Sequence, residues 1–478
     1  MDWKKLAANV AIYAIGDFLV VAVGGFFLVP LYTRHLSPAD YGVFVVTRAN
    51  SEIFTYILQF GIISAVARVY FIFSAKQQQR QYIGSILIFH FCTVAVFLVV
   101  LGVAGNFIWR QLSPAVPAMP YLWIASGLAF LSFVPGLFSI LLRVEERSKF
   151  FVAVQAISAV LLVLCVILFL VVLKAGIAGL FGALILSGGI TWAVLLVLLF
   201  RRLQWNFHWE HIRVSLKFGM PVVISYIAFF VMNRFGIIIL QRHVGLAEVG
   251  LFGLAQQVAM VISLVGMAFG KSFQPTIFSS DESAVTDLVS RLGSIYFISM
   301  LLGAAVFASF ASELLVILAP RSYGRAYYVL VLLIIANVVY WFKLISESVV
   351  LYRNRPNLAM TVSLAGGAIS VLGNLWLVPK IGIYGAVLSS LLTSCVVTAA
   401  SMIVARRMVR FRIGMQLLWQ AMSAVGVIGF SVYMNGRISM LLLVPMKIAL
   451  LSSLGIVFYI FRPRSANRGL AGAANQGD

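Results

Sequence analysis

The chain has 478 residues, of which 62% are hydrophobic and only 10% charged, with a formal net charge of +21. Soluble domains carry roughly 25% charged residues, so a soluble enzyme is excluded, and the positive charge sits in short loops rather than in a nucleic-acid-binding patch. Cys92, Cys165 and Cys395 all stand within apolar stretches, which excludes a disulfide framework and any metal site of clustered cysteines.

A helix needs about 20 apolar residues to cross the hydrocarbon core. Fourteen runs approach that length, at 9–33, 42–66, 82–108, 121–142, 151–173, 178–200, 218–241, 249–272, 292–318, 327–351, 358–378, 383–405, 415–434 and 440–461. The expectation is an all-α polytopic membrane protein. The first run carries Asp17, is longer than the roughly 7–15 apolar residues of a secretory signal core, and has no small-x-small cleavage site after it. Asp17 has two readings: a partner for a hydroxyl or base on a neighbouring span, or an acid that couples transport to a cation.

Between the first two runs, residues 34–44 read RHLSPADYGVF; residues 242–252, between runs seven and eight, read RHVGLAEVGLF. A second pair, KAGIAG at 174–179 and KIGIYG at 380–385, recurs at nearly the same spacing. A duplicated membrane unit is the build of a transporter rather than of an anchored enzyme.

The second run holds Arg48, Glu52, Thr55 and Gln59, which at i, i+4, i+7 and i+11 share one helical face. Four polar groups in line favour a water-filled cavity; the plainer alternative is an internal Arg48–Glu52 pair. Shifted by 208 positions, Arg48 maps onto Gln256 and Thr55 onto Ser263. In the seventh run Asn233 and Arg234 have no polar counterpart in the first. Arg48 and Arg234 each lie about two turns inside the outer end of their spans, a matched depth that suits a clamp for phosphate oxygens.

His90, alone in the third run, reads as a packing or hydrogen-bonding residue. Lys343 and Glu347, at i, i+4 in the tenth run, read either as a snorkelling pair or as a pair on the cytoplasmic side of a cleft. Lys447 is buried in the last run.

Loops alternate in basicity. The set that includes Lys4, Lys5, Arg143, Arg147, Lys149, Arg406 and Arg407 far outnumbers the set that includes Arg34, Arg110, Lys174 and Arg242. The positive-inside rule places the first set, with both termini, in the cytoplasm. The segment VGMAFGKS at 265–272 lacks the first glycine and the strand of a phosphate-binding loop. Gly176, Gly179 and Gly182 lie in a turn between spans and read as packing positions. No metal site, cofactor site or nucleophile elbow is legible.

Taken in order, LSPADYGVF, VEERSKFF after the fourth run, KFGMP at the seventh, HVGLAEVGLFGLA, and VPKIGIYGA before the twelfth resemble the bacterial polysaccharide-biosynthesis flippases. Those belong to the multidrug/oligosaccharidyl-lipid/polysaccharide exporter superfamily. The resemblance implies two six-helix bundles, here 1–208 and 209–412, around a central cleft. Two further helices at 413–461 and a disordered cytoplasmic tail at 462–478 would follow. It implies alternating-access movement of an undecaprenyl-pyrophosphate-linked oligosaccharide between leaflets of the bacterial inner membrane. The expected partners are that substrate, membrane lipids and other polysaccharide assembly proteins, with no nucleic acid and no cofactor. The expected cleft residues are Arg48, Arg234, Gln256, Asn233, Thr55 and Gln59, with Asp17 and Glu52 as coupling acids. Gln256 departs from the basic lining the resemblance implies. Two rivals remain: a cation-coupled multidrug exporter using Asp17, and a polytopic glycosyltransferase or polymerase, for which the outer loops are too short.

Overall fold

The computed structural model describes residues 12, 13, 16, 19, 23–73, 75–200, 203–278, 280–353, 355–409, 416–435, 437 and 440–460. Asp17 and the tail at 462–478 lie outside the described residues. Among those described the secondary structure is helical, with no strand.

The chain divides into two compact units, Met1–Leu254 with Val378–Ile383, and Ala255–Leu377 with Tyr384–Asp478. The first holds α1 (Val29–His35), α2 (Pro38–Gln59), α3 (Ile62–Val69), α4 (Lys76–Leu112), α5 (Ala118–Val144), α6 (Ser148–Val166), α7 (Gly176–Phe200) and α8 (Trp209–His243). The division falls inside α9 (Leu246–Phe278). The second unit continues with α10 (Glu282–Ser309), α11 (Ala311–Leu318), α12 (Ala326–Trp341), α13 (Lys343–Tyr352), α14 (Pro356–Ile381), α15 (Ile383–Met408), α16 (Gln416–Met434) and α17 (Met440–Ile460).

Among the described residues ten helices are long and apolar enough to cross a membrane, or eleven if the bent pair Pro38–Gln59 and Ile62–Ile72 is one span. The sequence runs number fourteen. The difference has local causes: the first run is partly outside the described residues, the second is the bent pair, and the last two give the shorter apolar helices Trp419–Met434 and Leu443–Gly455. The chain is a multi-pass membrane protein. Its exposed surface supports that directly: Val96, Val99, Val103, Ile157, Val160, Leu164, Leu372 and Trp376 all face outward. Such bands would aggregate in water and suit lipid.

In the first unit α5 is the central helix, packed on α2, α3 and α7. Its core is Val66, Ile86, Leu87, Phe133, Leu137, Phe138 and Phe151. The duplicated motif begins α2 with a capping box: Ser37 Oγ accepts from Asp40 N at 3.1 Å, and Ser37 N donates to Asp40 Oδ2 at 3.3 Å. Pro38 opens the helix where its missing N–H is no loss. In the second copy Glu248 answers Asp40 in the first turn of α9, placing negative charge at a helix N-terminus.

The two copies pack on each other. A Cβ on Gly42 would lie 3.2 Å from Gly250 N, and one on Gly250 would lie 3.0 Å from Gly42 N. Each would also strike a backbone carbonyl of the other copy, Leu246 O and Pro38 O respectively, and Leu246 is the counterpart of Pro38. The repeat is therefore a reciprocal small-residue helix crossing. At the junction of α2 and α3 the chain bends by 45°. Gly61, at φ +67°, lets the backbone of Gly219 on α8 approach where any side chain would block it.

In the second unit α10 packs on α12, α16 and α17, and α16 packs on α17. The last two helices are thus integrated into this unit. Ser431 Oγ donates to Ser309 Oγ at 3.1 Å, and both are buried.

Candidate functional site

The polar face of α2 exists because helical spacing stacks Arg48, Glu52, Thr55 and Gln59 on one side. Its four members do not share one partner. Glu52 is taken by α8: Arg234 Nε donates to Oε2 at 3.0 Å and Nη2 donates to Oε1 at 2.9 Å. The alternative of an internal Arg48–Glu52 pair is overturned by this bidentate bridge. The planar fork of Arg234, on α8, matches both carboxylate oxygens and ties α8 to α2.

Further along the same face, Thr55 and Gln59 turn to α5. Thr55 Oγ1 lies 3.4 Å from Ser132 Oγ and donates to Ser51 O at 2.8 Å, and Gln59 Nε2 donates to Ser132 Oγ at 3.4 Å. Arg48 alone is exposed, with no hydrogen bond or ion pair to any described residue. Since Arg234 and Glu52 neutralise each other, Arg48 supplies the net charge of this face.

The Arg234–Glu52 bridge is the top of a ladder between α2–α3 and α8. Below it Tyr56 packs edge-on against Phe230 and stacks on Tyr226, at 6.4 Å and 5.5 Å between centroids. Tyr226 Oη in turn lies 2.8 Å from Ser64 Oγ. Residues 226, 230 and 234 repeat at i, i+4, i+8, so one stripe of α8 meets the α2–α3 groove. Both charged partners are half-buried, with side-chain exposures of 23% for Arg234 and 30% for Glu52. Asn233 turns back on its own helix, donating from Nδ2 to Phe229 O at 2.8 Å.

The second unit keeps a milder version of this pattern. Gln256 is half-buried on α9. Ser263, the counterpart of Thr55, donates to Asn337 Oδ1 on α12 at 3.3 Å. Lys343 Nζ lies 3.2 Å from Glu347 Oε2, the i, i+4 pair expected on α13, and 4.6 Å above the ring of Tyr340. Both Lys343 and Glu347 border a small space with Val350, Val362 and Ser401.

Two further expectations are resolved. His90 is buried with its ring stacked on Phe133, 3.5 Å between centroids and 4° between planes, so it is a packing residue. Lys447 is fully buried and bonded to Glu313 at 2.7 Å and 3.0 Å. Glu313 stands in the first turn of α11. Ser132, Tyr226 and Asn337 escape sequence reasoning because single hydroxyls and amides inside apolar runs carry no pattern. The glycines of the repeat do carry one: they recur in place, and they are where the copies meet.

A family model described as "Polysaccharide biosynthesis protein" matches residues 6–281. No curated protein matches the chain in sequence. Among solved structures, the chain is similar to the lipid II flippase MurJ in an inward closed conformation, with a TM-score of 0.76 at 10% identity, over 94% of this chain and 99% of that one. It is also similar to an inward-facing multidrug resistance MATE family transporter of the MOP superfamily, with a TM-score of 0.64 at 16% identity, over 82% and 94%. A mutant of the Vibrio cholerae MATE transporter VcmN gives a TM-score of 0.58 at 16% identity, over 84% and 96%. At these identities the likeness is one of fold.

Proposed function

Since the chain belongs to the polysaccharide biosynthesis protein family, matched over residues 6–281, we propose that it is a transporter, not an enzyme. Its substrate in this reading is an undecaprenyl-pyrophosphate-linked oligosaccharide, carried from the inner to the outer leaflet of the bacterial inner membrane. The fold it shares with a lipid II flippase supports a lipid-linked substrate. Loop charge supports cytoplasmic termini. The domains are read as bundles at 1–208 and 209–412 with additional helices at 413–461.

The observation that carries the reading is the arrangement of Arg48, Glu52 and Arg234. Arg48 is a guanidinium with no ion-pair partner among the described residues, on the face of α2 that also bears the Arg234–Glu52 bridge. A pyrophosphate attracted by Arg48 meets, one turn further in, an arginine already held in bidentate geometry by a carboxylate. Phosphate oxygens offer the same fork–fork geometry and more negative charge, so they compete with Glu52 for Arg234. Opening the bridge loosens α8 from α2, so substrate binding and helix movement become one event. Coupling to a cation enters at the same place: a proton or sodium ion on Glu52 favours the freed arginine, while Asp17 is the other candidate coupling acid.

The test is flipping of the lipid-linked oligosaccharide by the purified protein in liposomes, read as access of an external glycan-modifying enzyme. Transport by the wild type and a large loss in Arg48→Ala is the expected result. Efflux of organic cations without movement of the lipid would replace this reading by the multidrug exporter, the one rival that the MATE-like fold favours.

A further inference from the structure

The end of the first unit remote from the duplicated motif carries a cavity of about 430 Å³. It forms where the 3-10 turn Tyr70–Ile72, the first turns of α4, and the ends of α5 and α7 meet. Its walls are of two kinds. Lys76, Arg80 and Arg147 bring three positive charges and Glu145 one negative. Arg147 Nε lies 3.2 Å from Glu145 Oε2, so that pair is neutral, and neither Lys76 nor Arg80 has an ion-pair partner among the described residues. Opposite them stand Ile83, Leu142 and Leu199, all buried.

The backbone adds to the positive end. Helix α4 starts at Lys76 behind Ala75, which supplies no capping side chain, so the first N–H groups of the helix are not covered by one. Next to the lining residues Tyr70 and Leu203 the chain is aromatic and apolar: Phe71 and Ile72 are 64% and 61% exposed, and Trp205 and Phe207 on the connector from α7 to α8 and Trp209 at the start of α8 are exposed. That connector is fastened beside the cavity, because Ser85 Oγ donates to Asn206 O at 2.9 Å and accepts from His208 N at 3.1 Å. Exposed tryptophans in a helical membrane protein belong at the headgroup level.

A cationic rim over an aliphatic floor, opening at the headgroup level, suits one ligand chemistry. Free phosphate would not use the floor, and a zwitterionic or neutral lipid would not use Lys76 and Arg80. The volume equals that of about fourteen waters at roughly 30 Å³ each, enough for a phosphate head and the first methylenes of its chain. The geometry points to a binding site for a phosphate-headed lipid on Lys76, Arg80 and the start of α4. It is separate from the Arg48–Glu52–Arg234 face and does not depend on the transport reading.

Binding is measured without transport, by native mass spectrometry of the full chain released from neutral detergent. The probes are phosphatidylglycerol, undecaprenyl pyrophosphate and phosphatidylcholine. The wild type should hold at least one of the two anionic lipids about tenfold more tightly than phosphatidylcholine, as expected when charged groups donate the hydrogen bonds. The variant K76Q/R80Q should lose that preference, K76R/R80K should keep it, and Arg34→Gln at the opposite end should leave it unchanged. Preference for phosphatidylglycerol identifies a resident membrane lipid; preference for undecaprenyl pyrophosphate alone identifies the polyprenyl carrier. Equal binding of all three lipids by the wild type, or full preference in K76Q/R80Q, overturns the site. So does competition by inorganic pyrophosphate as effective as that by either lipid, since the floor would then contribute nothing.

Discussion

Gly42 and Gly250, the same position in the two copies of the duplicated motif, lie backbone to backbone where α2 crosses α9. Neither can accept even a methyl group without pushing the helices apart. Gly42→Ala and Gly250→Ala should each destabilise the protein by about 1–3 kcal/mol, the range for overpacking a tight contact. Gly426→Ala, whose added Cβ would meet nothing within 4 Å, serves as the control and should be neutral or slightly stabilising. Thermal unfolding in detergent reads all three.

The Arg234–Glu52 bridge predicts a coupled pair. Glu52→Gln leaves a half-buried guanidinium with a weaker partner and should cost about 1–3 kcal/mol, below the roughly 3–5 kcal/mol of a fully buried pair. Exchanging the charges, Glu52→Arg with Arg234→Glu, should restore part of the loss. A double-mutant cycle in denaturant should give a coupling energy of about 0.5–3 kcal/mol; a value near zero would show that the bridge is incidental.

Arg48 makes no ion pair with any described residue, so its removal should not touch folding. Arg48→Ala is expected to melt with the wild type and yet transport poorly. Arg48→Lys should recover only part of the rate, because an ammonium cannot make the bidentate phosphate contact. Full transport by Arg48→Ala would remove this residue from the site.

Coupling separates Glu52 from Asp17. If either acid carries the driving ion, Glu52→Gln or Asp17→Asn should still bind the lipid-linked substrate but no longer respond to a proton or sodium gradient. Normal gradient dependence in both variants would make the acids structural partners and put the coupling elsewhere; transport by the wild type without any ion gradient would leave the membrane potential as the driving force. Each elementary charge is worth about 2.3 kcal/mol per 100 mV, and reversing the potential across proteoliposomes should then reverse the preferred leaflet.

Lys447 ties α17 to α11 through Glu313, with its own side chain fully buried. Lys447→Met strands the Glu313 carboxylate and should cost about 3 kcal/mol or more, while Lys447→Met with Glu313→Leu should regain much of it, as paired apolar replacements often do. If single and double variants melt alike, the pair does not hold the last helices in place.

Much of the fold is legible in the sequence because the bilayer imposes a length: runs of apolar residues such as 121–142 and 178–200 fall within α5 and α7. The repeat is legible too, since identical residues at a fixed offset need no structure to be seen. The count of spans is less so, because hydropathy does not register the bend at Gly61 or the shortness of the last two helices.

The site divides along the same line. Helical periodicity by itself determined that Arg48, Glu52, Thr55 and Gln59 share a face, since spacing along one helix sets which way side chains point. Only the tertiary structure decided what that face meets. Arg234 comes to Glu52 from 182 positions away, Ser132 comes to Thr55 and Gln59 from another helix, and Arg48 is left exposed. The pairing of Lys447 with Glu313, 134 positions apart, was equally hidden. The physical reason is that a helix's angular period is a local property, while the identity of its neighbours depends on how glycine contacts, bends and loop lengths arrange helices far apart in the chain.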